Sequence, residues 1–147
     1  MFVKTTKTLA VAFMLMGIAT FAHGTEGVPL TVTLTDVQAT DVPLYISVQT
    51  KADYRSMKGS GAILETTESG TLVRTVTVPQ PGAYAISIWH DLDNDGRFSM
   101  NERYEIQDGW ATSGDVPPGV APTFEQAKVE VPAMGATATV AMIHPEN

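Results

Sequence analysis

The chain has 147 residues, no cysteine, and 16 acidic against 9 basic side chains, a formal net charge of −7. That balance repels nucleic acid and anionic lipid headgroups, so neither is an expected partner. Without cysteine there is no disulfide, no thiol nucleophile and no cysteine-linked lipid anchor.

At the N-terminus, Lys4 and Lys7 precede an apolar run from Leu9 to Ala19, and small residues follow. This is the layout of a secretory signal peptide, with cleavage expected after Ala22 or after Gly24. The run is short for a membrane span and no second one follows, so no membrane insertion is expected once the leader is removed. The chain therefore divides into a leader, 1–24, and one domain, 25–147, that is periplasmic or secreted. The leader carries two lysines and no acid, so its loss leaves the domain near −9. Small exported domains often use a disulfide or a metal as a staple, and here only the metal remains.

The domain reads as strand after strand. Leu30 to Thr35 and Leu44 to Gln49 alternate apolar and polar residues with period two. Lys51 to Ser60 is polar, and Ala62 to Leu64 is a short strand candidate. After the turn signal Glu68-Ser69-Gly70, Leu72 to Val78 is rich in Val and Thr. Pro79 to Gly82 is a turn, and Ala83 to Trp89 is the next strand, with Tyr84, Ile86 and Ile88 on one face. Arg103 to Asp108 fits a short strand or one helical turn. Gly109 to Pro122 is Gly/Pro-rich and reads as irregular. Lys128 to Val131 and Thr137 to Ile143 close the pattern, with Ala133-Met134-Gly135 short enough for a hairpin between them. About seven strands and no amphipathic helix predict an all-β fold, an antiparallel β-sandwich of Greek-key type; a small barrel uses the same strands.

The densest chemical signal follows the fifth strand, at Asp91-Leu92-Asp93-Asn94-Asp95-Gly96-Arg97-Phe98-Ser99-Met100-Asn101-Glu102. Carboxylates stand at loop positions 1, 3 and 5, glycine at 6, a hydroxyl at 9 and glutamate at 12, the spacing of a calcium loop. Hard divalent cations need several converging oxygens. Asp91, Asp93 and Asp95 would supply side-chain oxygens, Arg97 its backbone carbonyl, Ser99 a hydroxyl directly or through water, and Glu102 both carboxylate oxygens. The expected cofactor is Ca2+ in a structural role; magnesium sheds its water too reluctantly. A strand rather than a helix enters the loop, so the helix-opening response of calcium sensors is excluded. The plain alternative is a solvated acidic turn.

Other candidates are sparser. His90 adjoins the loop, as an added ligand or as a buried, hydrogen-bonded strand end. His144 meets it only if their strands are neighbours, and a transition-metal site from His90, His144 and methionines depends on that. Trp110, in the irregular stretch, is the best candidate for an exposed aromatic, and with Trp89 it suggests sugar stacking. Tyr84, following Pro81-Gly82, anchors a strand start in the manner of a tyrosine corner. No Gly-x-Ser-x-Gly elbow, His-Glu-x-x-His motif or phosphate-binding glycine loop is present, so an enzyme is not expected.

The run Pro81-Gly82-Ala83-Tyr84-Ala85-Ile86, then His90-Asp91, then Asp93-Asn94-Asp95-Gly96 resembles an exported bacterial family known as domain of unknown function 2141. Asp108-Gly109-Trp110 and Pro122-Thr123-Phe124-Glu125-Gln126-Ala127 resemble its later segments. Ala111-Thr112-Ser113 departs from it, where a glycine and a second aromatic would be expected, and this loop is richer in Asp. The resemblance implies a prealbumin-like or immunoglobulin-like sandwich and no particular activity. The resulting expectation is a non-enzymatic, calcium-stabilised module that binds an envelope protein or a glycan. A carbohydrate-binding module and a metal-assisted hydrolase are the alternatives.

Overall fold

The computed structural model describes residues 26–117 and 121–145. The expected leader lies outside the described residues.

The chain forms β1 (Val28–Val37), β2 (Leu44–Gln49), β3 (Ser60–Leu64), β4 (Gly70–Val78), β5 (Gly82–His90), β6 (Gly109–Thr112), α1 (Phe124–Ala127), β7 (Lys128–Val131) and β8 (Ala136–Ala141). The strands make two packed sheets, as the alternation predicts. One has the order β4-β1-β8; the other has β3-β2-β5-β6, with β7 also paired to β5. Every pairing is antiparallel except β1 with β8, which is parallel.

Alternation decides what each strand buries. Leu30, Val32 and Leu34 of β1 face Leu44, Ile46 and Val48 of β2 and Ile86 and Ile88 of β5 within one apolar core. Burying each such side chain contributes about 1.5–3 kcal/mol, which makes this layer the main source of stability. The Tyr84 hydroxyl donates to the Gln80 carbonyl at 2.8 Å, tying the start of β5 to the turn before it.

Three expectations need correction. Lys128–Val131 and the last strand do not form a hairpin: β7 pairs with β5 and β8 pairs with β1, so the short turn carries the chain from one sheet to the other. The polypeptide turns through Gly135, whose φ is +90°. An added Cβ there would lie 2.5 Å from the Pro29 carbonyl oxygen, so only glycine lets the crossing hug the start of β1. Gly109–Thr112 is not irregular but is β6, its ladder supplied by β5. Arg103 to Asp108 is neither strand nor helix; it is a turn closed by the bridge of Met100 with Ile106.

The single helical turn α1 is too short to leave a periodic signal. Its Thr123 and Gln126 make a reciprocal capping box. Phe124 and Ala127 pack on Ala85, on the face of β5 turned away from the main core.

Candidate functional site

Strands β5 and β6 are antiparallel neighbours, and His90 pairs directly with Gly109. Everything between them is one long hairpin loop, 91–108, at one end of the sandwich. Its base is buried: His90, Asp91 and Asp108 are all within 1% of complete burial.

The loop is folded by its own carboxylates. The two oxygens of Asp91 accept the N–H groups of Asp95 at 3.1 Å and Gly96 at 3.0 Å. Asp93 accepts the N–H of Asp95 and the Ser99 hydroxyl, both at 3.1 Å. Asp95 accepts the N–H of Arg97 at 2.8 Å. Asn94 and Gly96 adopt left-handed φ values of 56° and 73°, which turn the backbone tightly enough for alternate side chains to converge. Asp91, Asp93 and Asp95 each offer a carboxylate oxygen, and these oxygens lie within 4.8 Å of one another. Among the described residues this is the one such group of three or more acidic or histidine ligands.

The electrostatics are those of crowded anions. Burial pushes the Asp91 carboxyl above its ordinary range, and nearby Asp93 and Asp108 add to the rise; the Gly96 and Asp95 N–H groups oppose it. A cation is the natural counterweight to such a cluster.

Ser99 stands within hydrogen-bond reach of Asp93 and so belongs to the loop interior. Arg97 follows the glycine turn, its N–H engaged by Asp95. Glu102 is exposed and lies outside the three-carboxylate group. His90 is fully buried, its Nε2 2.7 Å from the Thr40 hydroxyl. Trp110 is half-buried on β6. It completes a row across the outer face of its sheet, in which Ile63, Tyr45, Trp89 and Trp110 are successive register partners and Ile143 bridges to Trp110. Tyr45 and Trp89 stack at 4.6 Å and 15°, which uses one face of each ring.

Asp108 organises the loop, a role not expected from the sequence. One of its oxygens accepts the Leu92 N–H at 3.1 Å and the other the Ser99 N–H at 3.0 Å, so a single buried carboxylate ties both arms of the metal-loop candidate to the start of β6. Its position just before Gly109-Trp110 was the available signal. Nothing in that tripeptide alone says which backbone groups it will meet.

A family model described as an uncharacterized protein conserved in bacteria (DUF2141) matches residues 32–139. The chain belongs to this family. The match runs from the middle of β1 to β8 and so takes in both sheets and the whole acidic loop. No curated protein and no solved structure matches this DUF2141 chain.

Proposed function

We propose that this protein is an exported, non-enzymatic β-sandwich that holds one calcium ion in the loop after β5 and acts as a binding or accessory module at the cell envelope. The observation that carries the reading is the convergence of Asp91, Asp93 and Asp95 on a loop already turned inward by their own hydrogen bonds. Oxygen-only donors at alternate positions suit a hard cation, and calcium accepts an all-protein shell more readily than magnesium, which sheds its water reluctantly. Ser99 stands near enough to complete part of the shell. Affinity in the range of extracellular modules, ~10⁻⁴ to 10⁻³ M, is expected. The leader-like N-terminus supports export. Among the described residues no helix is long and apolar enough to cross a membrane.

The role assigned to the ion is structural. It offsets the mutual repulsion of the loop carboxylates and fixes the end of the sheet that carries the aromatic row. Equilibrium dialysis against radioactive calcium tests this: the reading expects one ion per chain, lost in Asp93→Ala, and an absence of uptake at millimolar calcium would overturn it.

The aromatic row favours a second reading, a carbohydrate-binding module with Trp110 as the stacking residue. Beside that row, Ser47, Ser87 and Thr112 form a parallel line of hydroxyls on the same sheet, a pattern suited to a neutral glycan. A glycan array with wild type and Trp110→Ala separates the two: sugar binding lost in the variant supports this reading, and a blank array removes it.

A further inference from the structure

Behind the acidic loop, on its core side, two histidines far apart in sequence come together. β8 ends at Ala141, and the chain then crosses to the other sheet, where Ile143 and Trp110 exchange both backbone hydrogen bonds, at 2.8 and 2.9 Å. The next residue, His144, is thereby brought beside His90. Both converge on Gly109, the register partner of His90. A Cβ at Gly109 would stand 3.0 Å from His90 Cβ, 3.2 Å from His144 Nδ1 and 3.4 Å from Met142 Cε. Glycine is thus what lets His90, His144 and Met142 close together on one point of β6.

The hydrogen bonding of the two rings is one-sided. His144 Nε2 lies 2.7 Å from the Asp36 carbonyl oxygen, which only accepts, so Nε2 carries the proton and Nδ1 presents a lone pair. The carbonyl is offered by a residue in a left-handed turn, Asp36 at φ 58°, where β1 bulges. His90 Nε2 meets the Thr40 hydroxyl at 2.7 Å; Thr40 reaches Thr67 at 3.3 Å, and Thr67 donates to the Gln38 carbonyl at 2.6 Å. This chain of donors runs without a break when His90 also carries its proton on Nε2. Both Nδ1 atoms are buried, and neither has a hydrogen-bond partner, not even in the other ring. His90 itself is completely buried. Buried polar atoms are nearly always satisfied, so two unpartnered imidazole nitrogens on residues that flank one glycine ask for a shared partner.

We propose that His90 and His144 hold a monovalent copper ion through their Nδ1 atoms, with Met142 as the neighbouring thioether, in a site separate from the acidic loop. Ligating histidines characteristically give their other N–H to a carbonyl or a similar acceptor, which Asp36 and Thr40 supply here. The donor set selects the metal. Zinc asks for four ligands. The chain has no thiol, and both oxygens of the nearby Asp108 are engaged by the Leu92 and Ser99 N–H groups. Two imidazoles and a soft thioether in a buried, low-coordinate niche suit Cu(I) instead. Met142 is buried, and His144, half-buried at the sheet edge, provides the way in.

The test is a competition titration of the purified protein with Cu(I), kept reduced without oxygen, against a chromophoric Cu(I) chelator. One equivalent withheld from the chelator is expected. His144→Gln, a substitution at the half-buried rim, is expected to lower affinity at least about tenfold with an unchanged circular dichroism spectrum. Asp93→Ala is expected to leave copper retention unchanged, which separates this site from the calcium reading. Exposed Met57, Met100 and Met134 are the alternative soft ligands, so their joint replacement by Leu serves as the control and is expected to retain copper. No copper retained, or retention unchanged in His144→Gln, overturns the proposal.

Discussion

Single residues set the geometry of the loop end. Asp108 is buried and spends each carboxylate oxygen on a backbone N–H from a different arm of the loop. Truncating it strands those donors, so Asp108→Ala is expected to lower stability by about 1–3 kcal/mol in urea unfolding. Nearby surface changes such as Glu102→Ala should cost less than about 0.5 kcal/mol. Gly109 illustrates the opposite constraint. Its Cβ would press on His90 and His144 at 3.0 and 3.2 Å, so Gly109→Ala is expected to cost about 1–3 kcal/mol through overpacking. The same urea unfolding measures it. The roles of these two residues were not legible in the sequence. An aspartate before Gly-Trp reads as a turn residue, and its burial depends on two loop arms that fold back from sixteen and nine positions away. The carboxylates at 91, 93 and 95 were legible because their convergence needs only local backbone turning.

At the scale of elements, period-two alternation marked the strands that face one core, as in β1 and β2. It failed where burial has two sides or none. Ala85 is buried on the outer face because α1 covers it, and β6 is only four residues long, too short for any pattern. The pairing of β7 and β8 escapes the local pattern for a different reason. A short connection is compatible with a hairpin, but it also suffices to step between sheets. The contact of Gly135 with Pro29 that decides the matter is non-local.

The helical turn α1 is held by its caps and by ion pairs of Glu125 with Lys51 at 2.8 Å and Lys128 at 2.9 Å. Lys51 first, and then Lys128, hold the Glu125 carboxyl down to about 2. A lowered folded-state value means stability that is present above the ordinary carboxylate value of 4.5 and lost as the pH falls through about 2. Thermal melts across that window should decline less steeply in Glu125→Gln. Because the carboxylate is exposed, the difference between the two proteins should be small and should shrink in high salt. Thr123→Ala, which removes the capping hydroxyl, is expected to cost about 1 kcal/mol in the same assay.

The whole molecule is a sandwich whose two sheets are stitched at their margins: by the β7–β8 turn at one point, and by the Trp110–Ile143 bridge at another. The core alone would hold the sheets face to face. The stitches determine which residues share the end where the acidic loop, the aromatic row and the two histidines lie. That clustering is a property of topology, so it was invisible to spacing and motif, although each member was visible separately. His90 and His144 were legible as residues and not as neighbours, because no local rule places the residue after the last strand against the end of β5.

A calcium ion in the loop after β5 would brace the connection from β5 to β6 and so act on the stability of the whole sandwich. A thermal melt of the chelator-treated protein, titrated first with calcium and then with magnesium, tests it most directly. At calcium tenfold above its dissociation constant the stabilisation is about 1.4 kcal/mol, a rise in Tm of roughly 4–8 °C for a domain of this size. That rise is expected for calcium, little for magnesium, and none for Asp93→Ala. A Tm indifferent to millimolar calcium in the wild-type protein would contradict it and leave the loop a hydrogen-bonded acidic turn.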